Sequence, residues 1–157
     1  MTRARVLEDL KTRFSDDIIE LFDKSPNRVY MEIRPGAVVC VGLYLFRDLG
    51  ARFNIASGID MPDCFEILYH FTVEDIDLLI SVRVKLPREA PRIQSLGRHI
   101  EAVNWIEREM HELLGIEFID HPDPRRLLLP DSWPEGVYPL RQDYREWDPS
   151  AIRDRGV

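Results

Sequence analysis

The side chains that could do chemistry in this sequence are four histidines and the acidic residues beside them. His111 is followed by Glu112, as in the HExxH zinc pattern, but Gly115 takes the place of the second histidine. Glu107 lies four residues before His111, so a helix would present both as possible metal ligands on one face. Helices often carry such pairs without a metal, and a structural role is therefore the favoured interpretation.

His121 is the other candidate, because it has an aspartate directly before it and another two residues after it. A carboxylate in such a position can orient an imidazole for catalysis. The sequence places no serine or cysteine nucleophile beside it, which favours a histidine that fixes the backbone of a turn. Glu107 and Glu109 point about 160° apart on a helix, so they cannot form a catalytic carboxylate pair.

Cysteine and glycine spacing predicts no cofactor site in this chain. Cys40 and Cys64 form no CxxC pair and therefore predict neither an iron–sulfur cluster nor a zinc site. No glycine pattern fits a phosphate-binding loop or a dinucleotide fingerprint. Any redox chemistry is expected to belong to other polypeptides.

Length and charge limit the class of protein. At 157 residues the chain fits one domain, and its net charge of −7 argues against nucleic-acid binding and against docking on anionic lipid. Residues 1–5 lead into no apolar stretch, so no signal peptide is expected. The longest apolar run, 37–46, is too short for a bilayer-spanning helix, which needs about twenty residues. Membrane association is therefore expected only through partners.

A helix that ends at Leu114 organises the C-terminal half. Its apolar residues recur at steps of three and four: Ile100, Val103, Ile106, Met110, Leu113 and Leu114. Gly115 suits its C-terminal cap, whereas Trp105, Arg108 and Glu112 fall on the opposite face. Arg108 and Glu112 are four residues apart and could pair on the surface. Trp105 is expected to be covered either by another part of this chain or by a partner.

Residues 120–157, which we call the strap, hold six of the chain's eleven prolines. Proline fixes φ and removes an N–H, so a helix or a central strand is disfavoured there. The strap is nevertheless rich in apolar side chains, namely Leu127, Leu128, Leu129, Trp133, Val137, Tyr138, Leu140, Tyr144 and Trp147. This composition predicts an extended segment that lies on a surface, with a partner protein covering a good share of it.

Hydrophobic periodicity predicts one α+β domain over residues 1–119, followed by the strap. The predicted elements are a helix at 4–23, a strand at 28–34, a buried helix at 37–49 whose valines also allow a strand, strands at 52–58, 65–72 and 77–85, and a helix opened by Ser95 or Gly97. The last two strands have the spacing of an antiparallel hairpin. The order predicts a two-layer sandwich in which helices cover one face of a largely antiparallel sheet.

Glu107 lies at the edge of the apolar stripe of the last helix and is expected to be half-buried. A half-buried carboxylate needs a cationic partner. Arg125 and Arg126 are the natural candidates, and either pairing would fold the strap back onto the helix.

The helix and the strap also carry an ordered set of motifs. These are Glu107-Arg108-Glu109, Gly115-Ile116, Phe118, His121-Pro122-Asp123, Arg125-Arg126, Leu128, Pro130, Trp133, Pro139-Leu140-Arg141 and Asp143. The set resembles the signature of the C subunit of respiratory NADH:quinone oxidoreductase (complex I) and of its counterparts in membrane-bound energy-converting nickel–iron hydrogenases. Glu112, Pro124 and Gln142 depart from the complex I pattern, and the longer 134–138 connection resembles the hydrogenase-type branch.

The resemblance implies a non-catalytic, cofactor-free subunit of the peripheral arm, on the cytoplasmic side of the membrane, that supports assembly and electron transfer. Its strap would dock on the large catalytic subunit, near the small iron–sulfur subunit. Iron–sulfur clusters and nickel–iron, flavin or quinone sites would then belong to partner subunits. The residues expected at the interface are Trp105, Glu107, Arg108, Glu109, His121, Pro122, Asp123, Arg125, Arg126, Trp133, Tyr138, Pro139, Leu140, Arg141 and Asp143. The alternative is a stand-alone small metal-dependent enzyme that uses His111, His121 and nearby acids.

Overall fold

The computed structural model describes residues 1–145, which form three α-helices and seven β-strands. In chain order these are α1 (Arg3–Arg13), β1 (Ile18–Ser25), β2 (Arg28–Ile33), α2 (Val38–Leu43), β3 (Arg52–Asp60), β4 (Cys64–Val73), β5 (Leu78–Pro87), β6 (Arg92–Gln94), α3 (Asn104–Leu114) and β7 (Glu117–Ile119). Short 3₁₀ turns at Pro35–Ala37, Glu74–Ile76 and Glu101–Val103 and a π-helical turn at Tyr44–Asp48 adjoin these elements. Trp147 and Pro149 of the predicted strap lie outside the described residues.

Five strands form one sheet in the order β1-β2-β5-β4-β3, and β6 and β7 form a separate parallel pair. Within the five-stranded sheet β2 and β5 run parallel and the other pairs run antiparallel. Alternate strand residues, such as Met31 and Ile67, belong to the same buried core as Leu10 of α1, Val41 of α2 and Leu114 of α3. The helices therefore cover one face of a largely antiparallel sheet, and the predicted α+β two-layer sandwich is confirmed.

The first helix is shorter than the sequence predicts. Thr2 caps α1 by accepting the backbone N–H of Arg5, but the helix ends at Phe14, so the predicted helix at 4–23 is wrong beyond that residue. Residues 18–25 instead form β1, which pairs with β2 at the edge of the sheet. In this position β1 supplies hydrogen-bond partners for the row of backbone groups of β2 that faces away from β5. The apolar spacing in β1 fits both a helix and a half-covered edge strand.

The central hairpin agrees closely with the sequence prediction. Strands β4 and β5 pair antiparallel from Cys64 opposite Pro87 to Val73 opposite Leu78. The strands predicted at 28–34 and 52–58 are also confirmed, within two residues at each end. The helix predicted at 37–49 corresponds to α2 together with the π-helical turn Tyr44–Asp48 that continues it. The predicted start of the last helix at Ser95 or Gly97 is wrong, because a 3₁₀ turn leads into α3 at Asn104.

Gly115 ends α3 in the left-handed conformation, with a φ of 74°, as predicted for a C-terminal cap. Its N–H donates to the carbonyl oxygen of His111 at 2.9 Å. A Cβ atom here would lie 2.6 Å from both the Tyr138 ring and the Arg141 guanidinium. Glycine is therefore needed for two reasons, the positive φ and the close approach of the strap.

Gly115→Ala is expected to destabilise the fold more than Gly50→Ala does. Both glycines have positive φ, 74° and 68°, but a Cβ atom at Gly50 would meet nothing within 4 Å. Gly50→Ala should cost about 1–2 kcal/mol for the left-handed conformation. Gly115→Ala should cost roughly 1 kcal/mol more, because the added methyl group displaces the strap. Urea unfolding of the two variants measures the difference, and equal losses would contradict it.

Candidate interface on helix α3

Helix α3 is covered on two sides, by the core and by the strap. Met110 and Leu114 face the core and are buried there. Arg108 and Glu112, one turn apart on another side of the helix, are also buried, although charged residues seldom are. What covers them is the first part of the strap, and each makes its hydrogen bonds to strap backbone.

Arg108 holds the strap by two of its backbone carbonyl groups. Its Nε donates to the carbonyl oxygen of Arg125 and its Nη2 to that of Arg126, both at 2.8 Å. Its Nη1 also lies 3.5 Å from Oδ2 of Asp123. A planar guanidinium suits such paired contacts because its N–H groups form a fixed fork.

Glu112 holds the next three residues of the strap by their backbone N–H groups. Its carboxylate accepts the N–H of Leu127 at 3.0 Å, of Leu128 at 2.6 Å and of Leu129 at 3.3 Å. Bonds from N–H groups to a charged carboxylate are stronger than neutral ones. The predicted surface pair between Arg108 and Glu112 is therefore wrong, since each side chain is turned to the strap backbone.

A second anchor lies at the C-terminal end of α3. The Nε of Arg141 donates at 2.7 Å to the carbonyl oxygen of Leu114, one of the end carbonyls that a helix leaves free. The guanidinium group also stacks over the Tyr138 ring, 4.3 Å from its centroid. The N–H of Leu140 donates to the carbonyl oxygen of Leu113 at 3.1 Å. The helix end and the strap thus complete each other's hydrogen bonds.

A third anchor joins the strap to the end of strand β3. The N–H of Gln142 donates to Oδ2 of buried Asp60 at 2.8 Å, and the Gln142 amide donates to the Asp60 carbonyl oxygen at 2.7 Å. Arg88 pairs with the same carboxylate. Burial opposes ionisation of Asp60, but the hydrogen bonds from Arg88 and Gln142 outweigh it and hold the pKa of this carboxyl group below its usual value.

His121 fixes the start of the strap. Its imidazole, only 3% exposed, approaches the carbonyl oxygen of Asn104 with Nε2 at 3.1 Å, and the N–H of Asp123 donates to Nδ1 at 3.1 Å. An acceptor at one nitrogen and a donor at the other assign the neutral ring with its proton on Nε2. Both nitrogens are occupied by backbone, which confirms the interpretation of a histidine that fixes a turn.

Glu107 is fully buried and is bound by the loop before α3. Its Oε1 accepts the N–H of Leu96 at 2.8 Å, and its Oε2 accepts the N–H of Gly97 at 3.1 Å and the hydroxyl of Ser95 at 2.5 Å. The Tyr69 hydroxyl donates from 3.4 Å. Burial raises the pKa of Glu107 to about 7, although the hydrogen bonds act in the opposite direction.

The predicted pairing of Glu107 with Arg125 or Arg126 is wrong. Arg125 is exposed and binds Asp123, with Nε 2.6 Å from Oδ1. This bond and the Arg108 charge hold the pKa of Asp123 well below its usual value. Arg126 donates to the carbonyl oxygen of Pro130 at 2.8 Å. The strap folds back onto the helix as expected, but through Arg108 and the strap backbone, while Glu107 is satisfied by neutral donors on the opposite side.

The other predicted interface residues divide into packed and exposed ones. Trp133 donates its Nε1–H to the carbonyl oxygen of Val137 at 2.8 Å and stacks on Tyr144. Trp105 and Leu140 project outward, 69% and 59% exposed. The remaining ones are Glu109 and Pro139, which are half-buried, and Pro122 and Asp143, which are exposed.

Sequence reasoning did not find the contacts that Glu112, Asp60 and Ser95 make in the folded chain. The sequence indicates Glu112 as a possible surface partner of Arg108, because its position opposite the apolar face points to solvent, and as a departure from a family pattern. The available signal was a carboxylate opposite a proline-rich segment whose backbone N–H groups need acceptors. Asp60 lies 82 residues before Gln142, so no local pattern connects the two.

Residues 1–145 contain neither a candidate metal-binding cluster nor a candidate membrane-spanning helix. No group of three or more histidine, cysteine, aspartate or glutamate side chains in this part of the chain could hold a metal ion. None of the helices within the same residues has the length and apolar character needed to cross a bilayer. His111 directs its Nδ1 to the carbonyl oxygen of Ile116 at 2.8 Å, so its position is set by the helix end.

The sequence matches one protein family over most of its length. Residues 31–149 fit the family described as respiratory-chain NADH dehydrogenase, 30 Kd subunit. The chain is 34% identical to the C subunit of F(420)H(2) dehydrogenase from Methanosarcina mazei, over 98% of this chain and 99% of that one. It is 32% identical to the C subunit of NADH-quinone oxidoreductase from Chloroherpeton thalassium, over 87% of this chain and 58% of that one.

A solved structure shows the same fold. The chain aligns with a chain of the membrane-bound sulfane sulfur reductase, described as an archaeal respiratory membrane complex, with a TM-score of 0.77 and 15% identity. The alignment covers 92% of this chain and 86% of the other. The protein therefore belongs to the family of the 30 kDa subunit of respiratory-chain NADH dehydrogenase, a family of subunits of complex I-like assemblies, which confirms the resemblance seen in the motifs.

Glu112→Gln is expected to loosen the strap without unfolding the domain. The amide NH₂ of glutamine would face a backbone N–H that now meets a carboxylate oxygen, with a loss of about 2 kcal/mol in local stability. A loss of this size makes the fraction of molecules with a detached strap roughly 30-fold larger. The rate of trypsin cleavage after Arg125 and Arg126 should rise by the same factor. Glu101→Gln, at an exposed position before α3, is the control, and equal cleavage rates in both variants would contradict the assignment.

Glu107→Gln is expected to change how stability depends on pH. The pKa of Glu107 is higher in the folded state, about 7 against 4.5, so its contribution to stability is present below pH 4.5 and is lost as pH rises through 7. Each pKa unit corresponds to about 1.4 kcal/mol, so the wild type should lose roughly 3 kcal/mol in this window that the variant keeps. Urea unfolding across the window measures this loss. The assignment fails if the wild-type and variant curves run parallel.

Proposed function

We propose that this chain is a non-catalytic, cofactor-free subunit of the peripheral arm of a complex I-like or membrane-bound hydrogenase-like oxidoreductase. It docks on the large catalytic subunit through the strap, near the small iron–sulfur subunit, and supports assembly and electron transfer. Iron–sulfur clusters and nickel–iron, flavin or quinone sites belong to the partner subunits. The chain lies on the cytoplasmic side of the membrane and reaches it only through those partners.

The observation that carries this proposal is that α3 holds the strap by its backbone. Arg108 donates to two strap carbonyl groups, and Glu112 accepts from three strap N–H groups. A segment that is held by its backbone can leave some of its side chains free for another surface. Leu128 and Leu140 are accordingly 60% and 59% exposed, in a segment that is otherwise fixed.

Pre-ordering of this kind favours binding. A disordered segment would lose conformational entropy when it docks, whereas the strap has already lost part of that entropy in the free chain. Arginine is among the residue types that contribute most to binding energy at interfaces. The side chain of Arg125 is 81% exposed in the free chain. The similarity to the F(420)H(2) dehydrogenase C subunit, which spans nearly the whole of both chains, supports a subunit role.

The bonding of His121 and Glu107 opposes the alternative of a stand-alone metal enzyme that uses these two residues. A histidine that binds a metal must offer a free nitrogen lone pair, and a carboxylate must offer a free oxygen lone pair. His121 uses both ring nitrogens on backbone groups, and the carboxylate of Glu107 already accepts from four donors. A metal at either residue would have to displace buried hydrogen bonds that fix the strap or the loop before α3.

Removal of the strap tests the proposal. A chain cut after Phe118 keeps α1 to α3 and the five-stranded sheet, so it should stay folded by circular dichroism. Because it lacks every strap anchor, its copurification with a co-expressed large subunit should fall at least tenfold below that of the full chain. A truncated chain that copurified as well as the full chain would contradict docking through the strap.

A further inference from the structure

A groove between strand β3 and helix α3 is surrounded by exposed apolar side chains. Nine large apolar side chains are exposed in residues 1–145, and four of them, Ile55, Trp105, Leu128 and Leu140, lie around this one feature. Their exposed fractions are 52%, 69%, 60% and 59%. Single exposed apolar residues are ordinary on a protein surface, but a cluster of this size marks a site of interaction.

The groove consists of two depressions that share a wall. One, of ≈ 380 Å³, lies between Trp105 and Leu128, and the other, of ≈ 320 Å³, lies toward Leu140. The shared wall is formed by Ile55, Ile106 and Glu109, which line both depressions. The β3–α3 groove is therefore one continuous surface that begins and ends at strap residues.

Glu109 gives the groove an unneutralised negative charge. It is half-buried, and it makes no hydrogen bond or ion pair with any other residue that the structure describes. The residues that line the two depressions include no lysine and no arginine. A carboxylate that becomes buried needs a cation or hydrogen-bond donors beside it, so whatever fills this groove must bring one.

The two edge strands of the sheet, β1 and β3, differ in the charged side chains that they carry. Edge strand β1 alternates its exposed Ile19 and Phe22 with charged residues, namely Glu20, Asp23 and Lys24. Edge strand β3 has no charged residue from 53 to 59, although Ile55 is exposed there. Charged side chains protect an exposed edge from unwanted association. The β3 edge lacks that protection, as expected where a specific partner covers it.

We propose that the β3–α3 groove binds a mostly apolar segment of the large subunit, and that one lysine or arginine of this segment pairs with Glu109. The inference rests on the proposed function, because Leu128 and Leu140 belong both to the strap and to the rim of the groove. A partner docked on the strap therefore continues directly into the groove. Trp105 forms the aromatic wall against which the segment packs.

The apolar part of the proposal is tested with two matched isoleucines. Ile55 and Ile19 lie on opposite edge strands and are 52% and 59% exposed, so each tolerates a charge in the free chain. In the complex co-expressed with the large subunit, Ile55→Asp should lower copurification at least tenfold, whereas Ile19→Asp should leave it within twofold. Thermal unfolding of both free variants checks that they fold. Equal copurification of the two variants would overturn the proposal.

The pairing of Glu109 with a cation of the large subunit is tested in the same complex. Glu109→Lys should lower copurification at least tenfold, whereas Glu20→Lys, at an exposed position on the opposite edge strand β1, should leave it within twofold. A photo-reactive side chain at position 105 should crosslink to a segment of the large subunit that contains a lysine or an arginine. Exchange of that cation for glutamate should restore copurification of Glu109→Lys. Crosslinks only to a second copy of this chain, or to its own residues 146–157, would overturn the proposal.

The outcomes separate this inference from the docking of the strap. If the chain cut after Phe118 loses the large subunit while Ile55→Asp and Glu109→Lys retain it, the strap docks alone and the groove proposal is wrong. If the truncated chain retains the large subunit, docking through the strap is wrong, and the crosslink at position 105 shows whether the groove binds instead.

Discussion

The structure depends on one constraint, that a proline-rich segment cannot satisfy its backbone groups by regular helix or sheet pairing. Residues 120–145 contain five prolines and no helix or strand. Turns within the segment pair a few of its backbone groups, such as the N–H of Trp133 with the carbonyl oxygen of Pro130, and the others must find partners elsewhere or remain in water. Helix α3 supplies these partners in chain order, first Arg108 for two carbonyl groups and then Glu112 for three N–H groups. Two side chains one turn apart thus replace the regular pairing that prolines exclude.

Helix α3 is consequently built with two charged faces that serve different elements. Glu107 faces the loop at 95–97 and is satisfied by neutral donors, which together with burial leaves its pKa close to 7. Arg108 and Glu112 face the strap. His121 connects the two sides, since its imidazole contacts the first residue of α3 and lies 3.8 Å from Glu107. The family signature from 107 to 143 therefore describes a contiguous set of contacts in the folded chain.

The sequence predicted most of the fold and part of this arrangement. Periodicity found the central hairpin and the apolar face of α3, because a buried face imposes a repeat that can be counted. It failed at β1, where the same spacing suits a helix and an edge strand. It also left Arg108 and Glu112 as a possible surface pair, because helical geometry shows which face lies away from the core but not what covers it. Asp60 could not be found, since its partner Gln142 is distant in sequence.

The central claim is that backbone hydrogen bonds hold the strap in the free chain and that the large subunit covers side chains of the strap in the complex. The most direct measurement combines amide hydrogen exchange at 127–129 with side-chain footprinting of Leu128 and Leu140, on the free chain and on the co-expressed complex. Slow exchange in both states, with side chains that are labelled in the free chain and protected in the complex, is the predicted result. Fast exchange at 127–129 in the free chain, or equal labelling of both leucines in the two states, would contradict the account.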